Sequence, residues 1–124
     1  KYISAKDHEK EALLNIVLVG AGPTGVELAG ICDLYTGRLE NAREEFGKEL
    51  YTTINYKDLL DKKDIDAVLI CTTDVWHARI TIDALAKGKH VYCEKPTATE
   101  TKVALELYDI CQKAGDKCFQ RVCC

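Results

Sequence analysis

The chain has 124 residues and a formal charge of −3 at neutral pH, with 47% apolar and 30% charged residues. That length suits one domain with a real core and is short for an enzyme that must hold two substrates. No apolar run approaches the roughly 20 residues that span a bilayer. Lys6-Asp7-His8-Glu9-Lys10-Glu11 is unlike a leader peptide, and the scattered basic residues argue against a nucleic-acid surface. The expectation is a cytoplasmic protein without membrane or nucleic-acid partners.

Residues 1–11 form a polar extension. Leu13 to Val19 is a first strand that runs into Gly20-Ala21-Gly22-Pro23-Thr24-Gly25, a G-x-G-x-x-G turn. In such a turn the first glycine allows the tight bend, the second leaves room for a pyrophosphate, and the third lets a helix pack close. A helix beginning near Pro23 would aim its free N–H groups at the phosphates, with Val26, Leu28 and Ala29 against the sheet. Ile31 to Leu34 ends a second strand, and Arg38 to Phe46 is helical with Gly47 as its stop. Leu50 to Ile54 is a short strand and Tyr56 to Lys62 a short helix. Ala67 to Cys71 is an apolar run expected of a parallel strand buried on both faces. His77 to Lys87 is an amphipathic helix ended by Gly88, and His90 to Cys93 the next strand. Thr97-Ala98-Thr99-Glu100 carries a capping-box pattern before a helix over Thr101 to Ala114. Cys118 to Val122 opens a sixth strand. Strand and helix alternate, which predicts one α/β domain: a doubly wound parallel sheet of the dinucleotide-binding type.

One connection does not fit. Residues 23–30 make about 12 Å of helix, whereas the strand they must run back along is roughly 20 Å long. The acid that meets a ribose is expected about 20 residues after the first glycine, and Asp33 comes sooner. The first βαβ crossover is therefore shortened, by a stunted helix or by a missing or spliced stretch.

Among the seven cysteines, Cys32, Cys71 and Cys93 fall inside or at the ends of strands, where a thiol acts as a small hydrophobe. Cys111 lies on a helix, and Cys118, Cys123 and Cys124 cluster without C-x-x-C spacing. Reduced thiols and no metal site are expected. His8, His77 and His90 are too dispersed for a metal triad.

From Ile31 to about Gln120 the chain resembles the N-terminal domain of the Gfo/Idh/MocA oxidoreductases, on three motifs. Cys32-Asp33-Leu34-Tyr35-Thr36-Gly37-Arg38-Leu39 resembles that family's second-strand end, where the acid takes the adenosine ribose. Cys71-Thr72-Thr73-Asp74-Val75-Trp76-His77-Ala78 is similar to its T-P-D-H-W-H-A segment beside the nicotinamide, with Thr73 for the proline and Val75 for a histidine. Gly88-Lys89-His90-Val91-Tyr92-Cys93-Glu94-Lys95-Pro96 matches its G-K-H-V-x-x-E-K-P signature. Ala12 to Gly30 resembles instead the dinucleotide motif of type II NADH dehydrogenases, and both resemblances imply a dinucleotide at the glycine turn.

The resemblance implies an NAD(P)-dependent oxidoreductase domain that serves hydride transfer on a sugar or polyol-like substrate. It also implies a second, substrate-orienting domain that this chain lacks. Lys95 is the candidate catalytic residue, its ammonium hydrogen-bonding the reacting oxygen. Glu94 pairs with it or touches the nicotinamide ribose, and Pro96 fixes the turn, in that family often as a cis peptide. Gly20, Gly22, Pro23, Thr24 and Gly25 are cofactor candidates at the phosphates, and Cys71, Thr72, Thr73, Asp74, Trp76 and His77 at the nicotinamide half. Asp33 as a ribose acceptor favours NAD, since a carboxylate repels a 2′-phosphate. Arg38 could pair with that phosphate and keeps NADP open. His77 serves as a cofactor contact or packs the loop. The other reading of the chain is a non-catalytic nucleotide-binding or interaction module, and a homo-oligomer is compatible with either.

Overall fold

The computed structural model describes residues 16–22 and 25–120, with side chains from residue 28 to residue 118. The elements run β1 (Ile16–Gly22), β2 (Gly25–Cys32), α1 (Thr36–Phe46), β3 (Tyr51–Thr53), α2 (Tyr56–Leu60), β4 (Ala67–Ile70), α3 (Asp74–Ala86), β5 (His90–Cys93), α4 (Thr101–Ala114) and, after a 3-10 turn over Gly115–Lys117, β6 (Cys118–Gln120). They build one six-stranded sheet in the order β3-β2-β1-β4-β5-β6, the spatial order of a doubly wound dinucleotide fold. β2 is parallel to β3, and β4, β5 and β6 are parallel to one another.

The first unit departs from the expected pattern. β1 is antiparallel to both its neighbours, β2 and β4, and residues 25–32 form a strand where a helix was expected. The reason is length. Parallel neighbours need a crossover of a dozen or more residues, whereas an antiparallel pair needs only two between its strands. Pairing begins at Gly22↔Gly25, so only residues 23 and 24, which lie outside the described residues, stand between the strands. A bulge falls at Ala29, since Leu18 pairs with Gly30 and Val19 with Leu28. The extra residue puts Leu28 and Ile31 on one face of the sheet and Ala29 and Cys32 on the other.

Two apolar clusters hold the layers. On one face Leu59 and Leu60 of α2, and Ile80 and Ala84 of α3, pack on Cys32, Val68, Ile70, Val91 and Cys93. On the other, Leu39 and Ala42 of α1 close over Ile31 with Leu50. Gly30 lies where layers press closest: a Cβ there would meet Leu59 Cδ2 at 2.9 Å and the Tyr51 carbonyl oxygen at 3.1 Å.

β4 is not buried on both faces. Val68 and Ile70 are buried, while Ala67 and Leu69 are only half-buried, and β5 repeats the alternation, with Val91 and Cys93 buried and His90 and Tyr92 exposed. A helix after the glycine turn would lie over that second face, and the chain has spent those residues on β2.

Local signals also resolve. α3 starts at Asp74, three residues before the expected His77. The capping box does not form: Glu100 is the N-cap of α4 and no side chain caps it. Cys111 and Cys118 form a disulfide, against the expectation of reduced thiols, because the 3-10 turn brings β6 back beside the last turn of α4 with a Cα–Cα separation of 5.5 Å. Cys123 and Cys124 lie outside the described residues, as does the sixth strand beyond Gln120. Among the described residues, no helix is long and apolar enough to cross a membrane.

Candidate functional site at the carboxyl edge of the sheet

β2, β3, β4 and β5 point the same way, so Asp33, Ile54, Thr72 and Lys95 all follow strand ends on one edge of the sheet. Crevices outside the carboxyl ends of strands are where open α/β sheets bind ligands. The glycines are elsewhere. Ile16 pairs with Cys32 and Ile70 at this edge, but Val19 already pairs with Ala67 at the start of β4. β1 therefore carries Gly20 and Gly22 past the opposite edge, and Gly22 lies roughly 20 Å along the strand from Ile16. Gly20, Gly22 and Gly25 are not brought together with the other candidate residues. Pro23 and Thr24 lie outside the described residues.

Asp33 is buried to 1% exposure, held by its own N–H donating to the Thr53 carbonyl at 3.2 Å. Arg38 Nη1 donates to Oδ1 at 3.0 Å and Oδ2 at 2.9 Å, and the Tyr35 N–H donates to Oδ1 at 2.7 Å. The two residues read from sequence as competing cofactor determinants are thus partners. The Arg38 guanidinium also lies 5.2 Å from the Tyr35 ring centroid, within cation–π range. Beside Asp33 a cavity of about 230 Å3 is lined by Cys32, Leu34, Ile54, Tyr56, Thr72 and Trp76, among others. It is mostly apolar, with room for part of a dinucleotide rather than the whole. Trp76 is half-exposed on this wall.

The second group follows β4 and β5. The Glu94 N–H donates to the Ile70 carbonyl at 2.9 Å, extending the β4–β5 ladder past its last strand residue. The Lys95 N–H donates to Glu94 Oε2 at 3.1 Å, so that carboxylate braces the turn through backbone. The Lys95–Pro96 peptide is cis, and Lys95 itself is exposed. His77 is buried to 1% exposure with both ring nitrogens on backbone carbonyls of Pro96 and Thr72. It packs the loops and offers no free nitrogen to a cofactor. Thr73 is the N-cap of α3, and Asp74 is exposed in its first turn.

Two of the free thiols, Cys32 and Cys93, are inert by position. Burial, with Asp33 and Asp58 adding repulsion, pushes Cys32 up to about 12. Burial also pushes Cys93 up to about 11, with the Thr81 hydroxyl opposing and the Cys71 and Glu94 charges adding. Cys71 is raised by burial and by Glu94. At pH 8 the Cys93 thiolate is about one part in a thousand. Native iodoacetamide labelling followed by mass spectrometry is therefore expected to leave Cys32 and Cys93 unmodified until the protein is denatured, with half-buried Cys71 reacting ahead of them. Rapid native labelling of Cys32 would contradict this. Among the described residues, no group of three His, Cys, Asp or Glu side chains is placed to hold a metal ion.

A dinucleotide fits this edge in part. The buried carboxylate and apolar cavity suit an adenosine half, and the exposed Lys95 turn suits a polar reacting end. The phosphate leg is not provided by the glycine turn, which lies on the far edge and precedes a strand. Sequence reasoning missed Tyr35, whose N–H shares Asp33, and Tyr56, on the cavity wall. Neither carries a sequence signal beyond its nearness to a strand end.

A family described as "Oxidoreductase family, NAD-binding Rossmann fold" matches residues 8–121, glycine turn included. Inositol 2-dehydrogenase from Salmonella paratyphi B is 32% identical over 97 residues, covering 78% of this chain and 29% of that protein. The crystal structure of myo-inositol 2-dehydrogenase from Lactobacillus plantarum superposes with a TM-score of 0.73 at 30% identity, covering 92% of this chain and 32% of that one. KijD10, a 3-ketoreductase from Actinomadura kijaniata solved with NADP, gives 0.61 at 32% identity, covering 71% of this chain and 27% of its own. The chain spans under a third of the length of these relatives.

Proposed function

Because the chain belongs to the Gfo/Idh/MocA oxidoreductase family, an NAD-binding Rossmann family, we propose that its carboxyl edge holds NAD(P) for hydride transfer on a sugar or polyol-like substrate. The observation that carries the reading is the alignment of Asp33, Thr72 and Lys95 behind three parallel strands on one edge. Asp33 would accept from the adenosine ribose, with the adenine against the Leu34, Ile54 and Trp76 wall. Thr72, Thr73 and the E-K-P turn would border the nicotinamide end. When bound, the nicotinamide supplies or accepts the hydride. Lys95, exposed at the turn, would hydrogen-bond the substrate oxygen; as the amine it would take the hydroxyl proton when the carbonyl forms, and as the ammonium it would return one when the carbonyl is reduced. A second domain would orient the substrate, so binding should survive in this domain better than turnover. Cytoplasmic placement goes with this reading and with the free thiols Cys32, Cys71 and Cys93, whereas the Cys111–Cys118 disulfide is a mark of oxidising compartments.

Trp76 is the only tryptophan and lies on the cavity wall, so it reports on binding. Titration with NADH should quench it saturably, and the absence of any saturable change at millimolar NADH would sink the proposal. A second reading, a non-catalytic nucleotide-binding module, is favoured by the displaced glycine turn. It predicts the same quenching with no hydride transfer across a polyol panel, even when the domain is supplied within a full-length relative's framework.

A further inference from the structure

The β4–β5 ladder ends with the Glu94 N–H on the Ile70 carbonyl. Two residues beyond each of these, at Thr72 and Pro96, the backbones have no direct link of that kind, and the His77 ring stands between them. Its Nδ1 lies 2.7 Å from the Pro96 carbonyl oxygen and its Nε2 2.9 Å from that of Thr72. Carbonyl oxygens only accept, so the ring joins the loops by N–H donation, each ring nitrogen donating where it carries a hydrogen. With the side chain 1% exposed, those bonds form away from competing water and are correspondingly stiff. α3 starts at Asp74, so His77 comes off its first turn with its backbone already fixed by helix geometry.

We propose that His77 is a positioning residue: it adds a side-chain rung beyond the end of the β4–β5 ladder and so fixes the turn that presents Lys95 against the Thr72–Thr73 loop. The inference rests on the cofactor reading above for what the loops hold, but the clasp itself is a property of the protein alone. The Asp33 carboxylate is held by Arg38 and Tyr35 and its N–H by Thr53, none of them bonded to the ring, while Thr72 is shared by the clasp and the cavity wall.

The test compares two ligands on the wild-type chain and on His77→Ala. NADH spans both halves of the edge, and ADP-ribose lacks the nicotinamide. Loss of the clasp should weaken NADH about tenfold, while ADP-ribose changes less than twofold. Equal weakening of both ligands would make His77 a general structural residue and overturn the proposal, as would no change in either. If the wild-type chain binds no NADH, the cofactor reading fails and the clasp is judged by amide hydrogen exchange. Faster exchange at Lys95 and Thr97 in His77→Ala, with β4 unchanged, upholds it, and unchanged exchange overturns it. Should His77→Ala fail to fold, His77→Gln, which keeps one donor, enters the same comparisons.

Discussion

Asp33→Asn is expected to weaken NADH binding by about ten- to hundredfold, the worth of one hydrogen bond to a charged acceptor, while NADPH loses less or gains. The reason is an acceptor count. A carboxylate offers about four lone-pair sites; Arg38 takes one on each oxygen and the Tyr35 N–H takes another on Oδ1. One acceptor position remains, on Oδ2, enough for a single ribose hydroxyl. The carboxylate charge repels a 2′-phosphate, and Arg38, occupied by that carboxylate, is not free to offset it. Asparagine removes the charge, keeps the volume and releases a guanidinium that suits phosphate. The two affinities should therefore move apart, and equilibrium titrations with NADH and NADPH on both proteins would read the ratio. An unchanged ratio would separate Asp33 from the cofactor. Because Arg38 is 22% exposed, it can turn to water in the variant, so thermal unfolding should remain cooperative.

What the sequence could and could not convey divides along the length of interaction. β5 and α4 match their expected limits, because each is bounded by a local signal: Gly88 before β5, and Gly115 after α4, both at positive φ. The Lys95–Pro96 cis peptide expected from the family resemblance is present. The pairing of Asp33 with Arg38 was not legible, although both residues were singled out. Their meeting depends on α1 starting at Thr36, which swings Arg38 back over the strand end. The glycine motif misled in a different way. Its spacing describes a strand–helix turn, yet a motif sets only local geometry, and the short connection to Asp33 decided the topology. Eight residues could not cross back over the sheet, so they paired instead. The length mismatch was visible in the sequence, but its outcome, an antiparallel β1 with the glycines on the far edge, depends on pairing between distant strands. For His77 the sequence left loop packing and cofactor contact open, and it could not choose, since both partners are backbone carbonyls that any residue could supply.

Lys89→Met is expected to cost about 2–4 kcal/mol of stability, which for a domain of this size lowers the melting temperature by roughly 6–15 °C. Lys89 is 8% exposed, and its ammonium donates to the Lys62 carbonyl at 2.7 Å and the Ile65 carbonyl at 2.6 Å. Those carbonyls belong to the loop that carries the chain from α2 into β4. Methionine keeps much of the stem's packing but leaves both oxygens without their donor, and this unmet demand, rather than lost area, makes the change expensive. Lys87, two residues earlier, gives the control. Its ammonium lies 2.6 Å from Asp61 Oδ1, but the two side chains are 54% and 61% exposed, so that pair is screened and worth little. Lys87→Met should therefore shift urea denaturation far less than Lys89→Met, and equal shifts would refute the argument. The comparison also divides the G-K-H-V-x-x-E-K-P stretch into two tasks. Its first lysine enters β5 at the amino edge and is spent inside the protein; its second leaves at the carboxyl edge, exposed, with one strand of about 13 Å between them. A Lys89 variant should lose NADH affinity only in step with its loss of folded protein, whereas a Lys95 variant should keep its melting temperature.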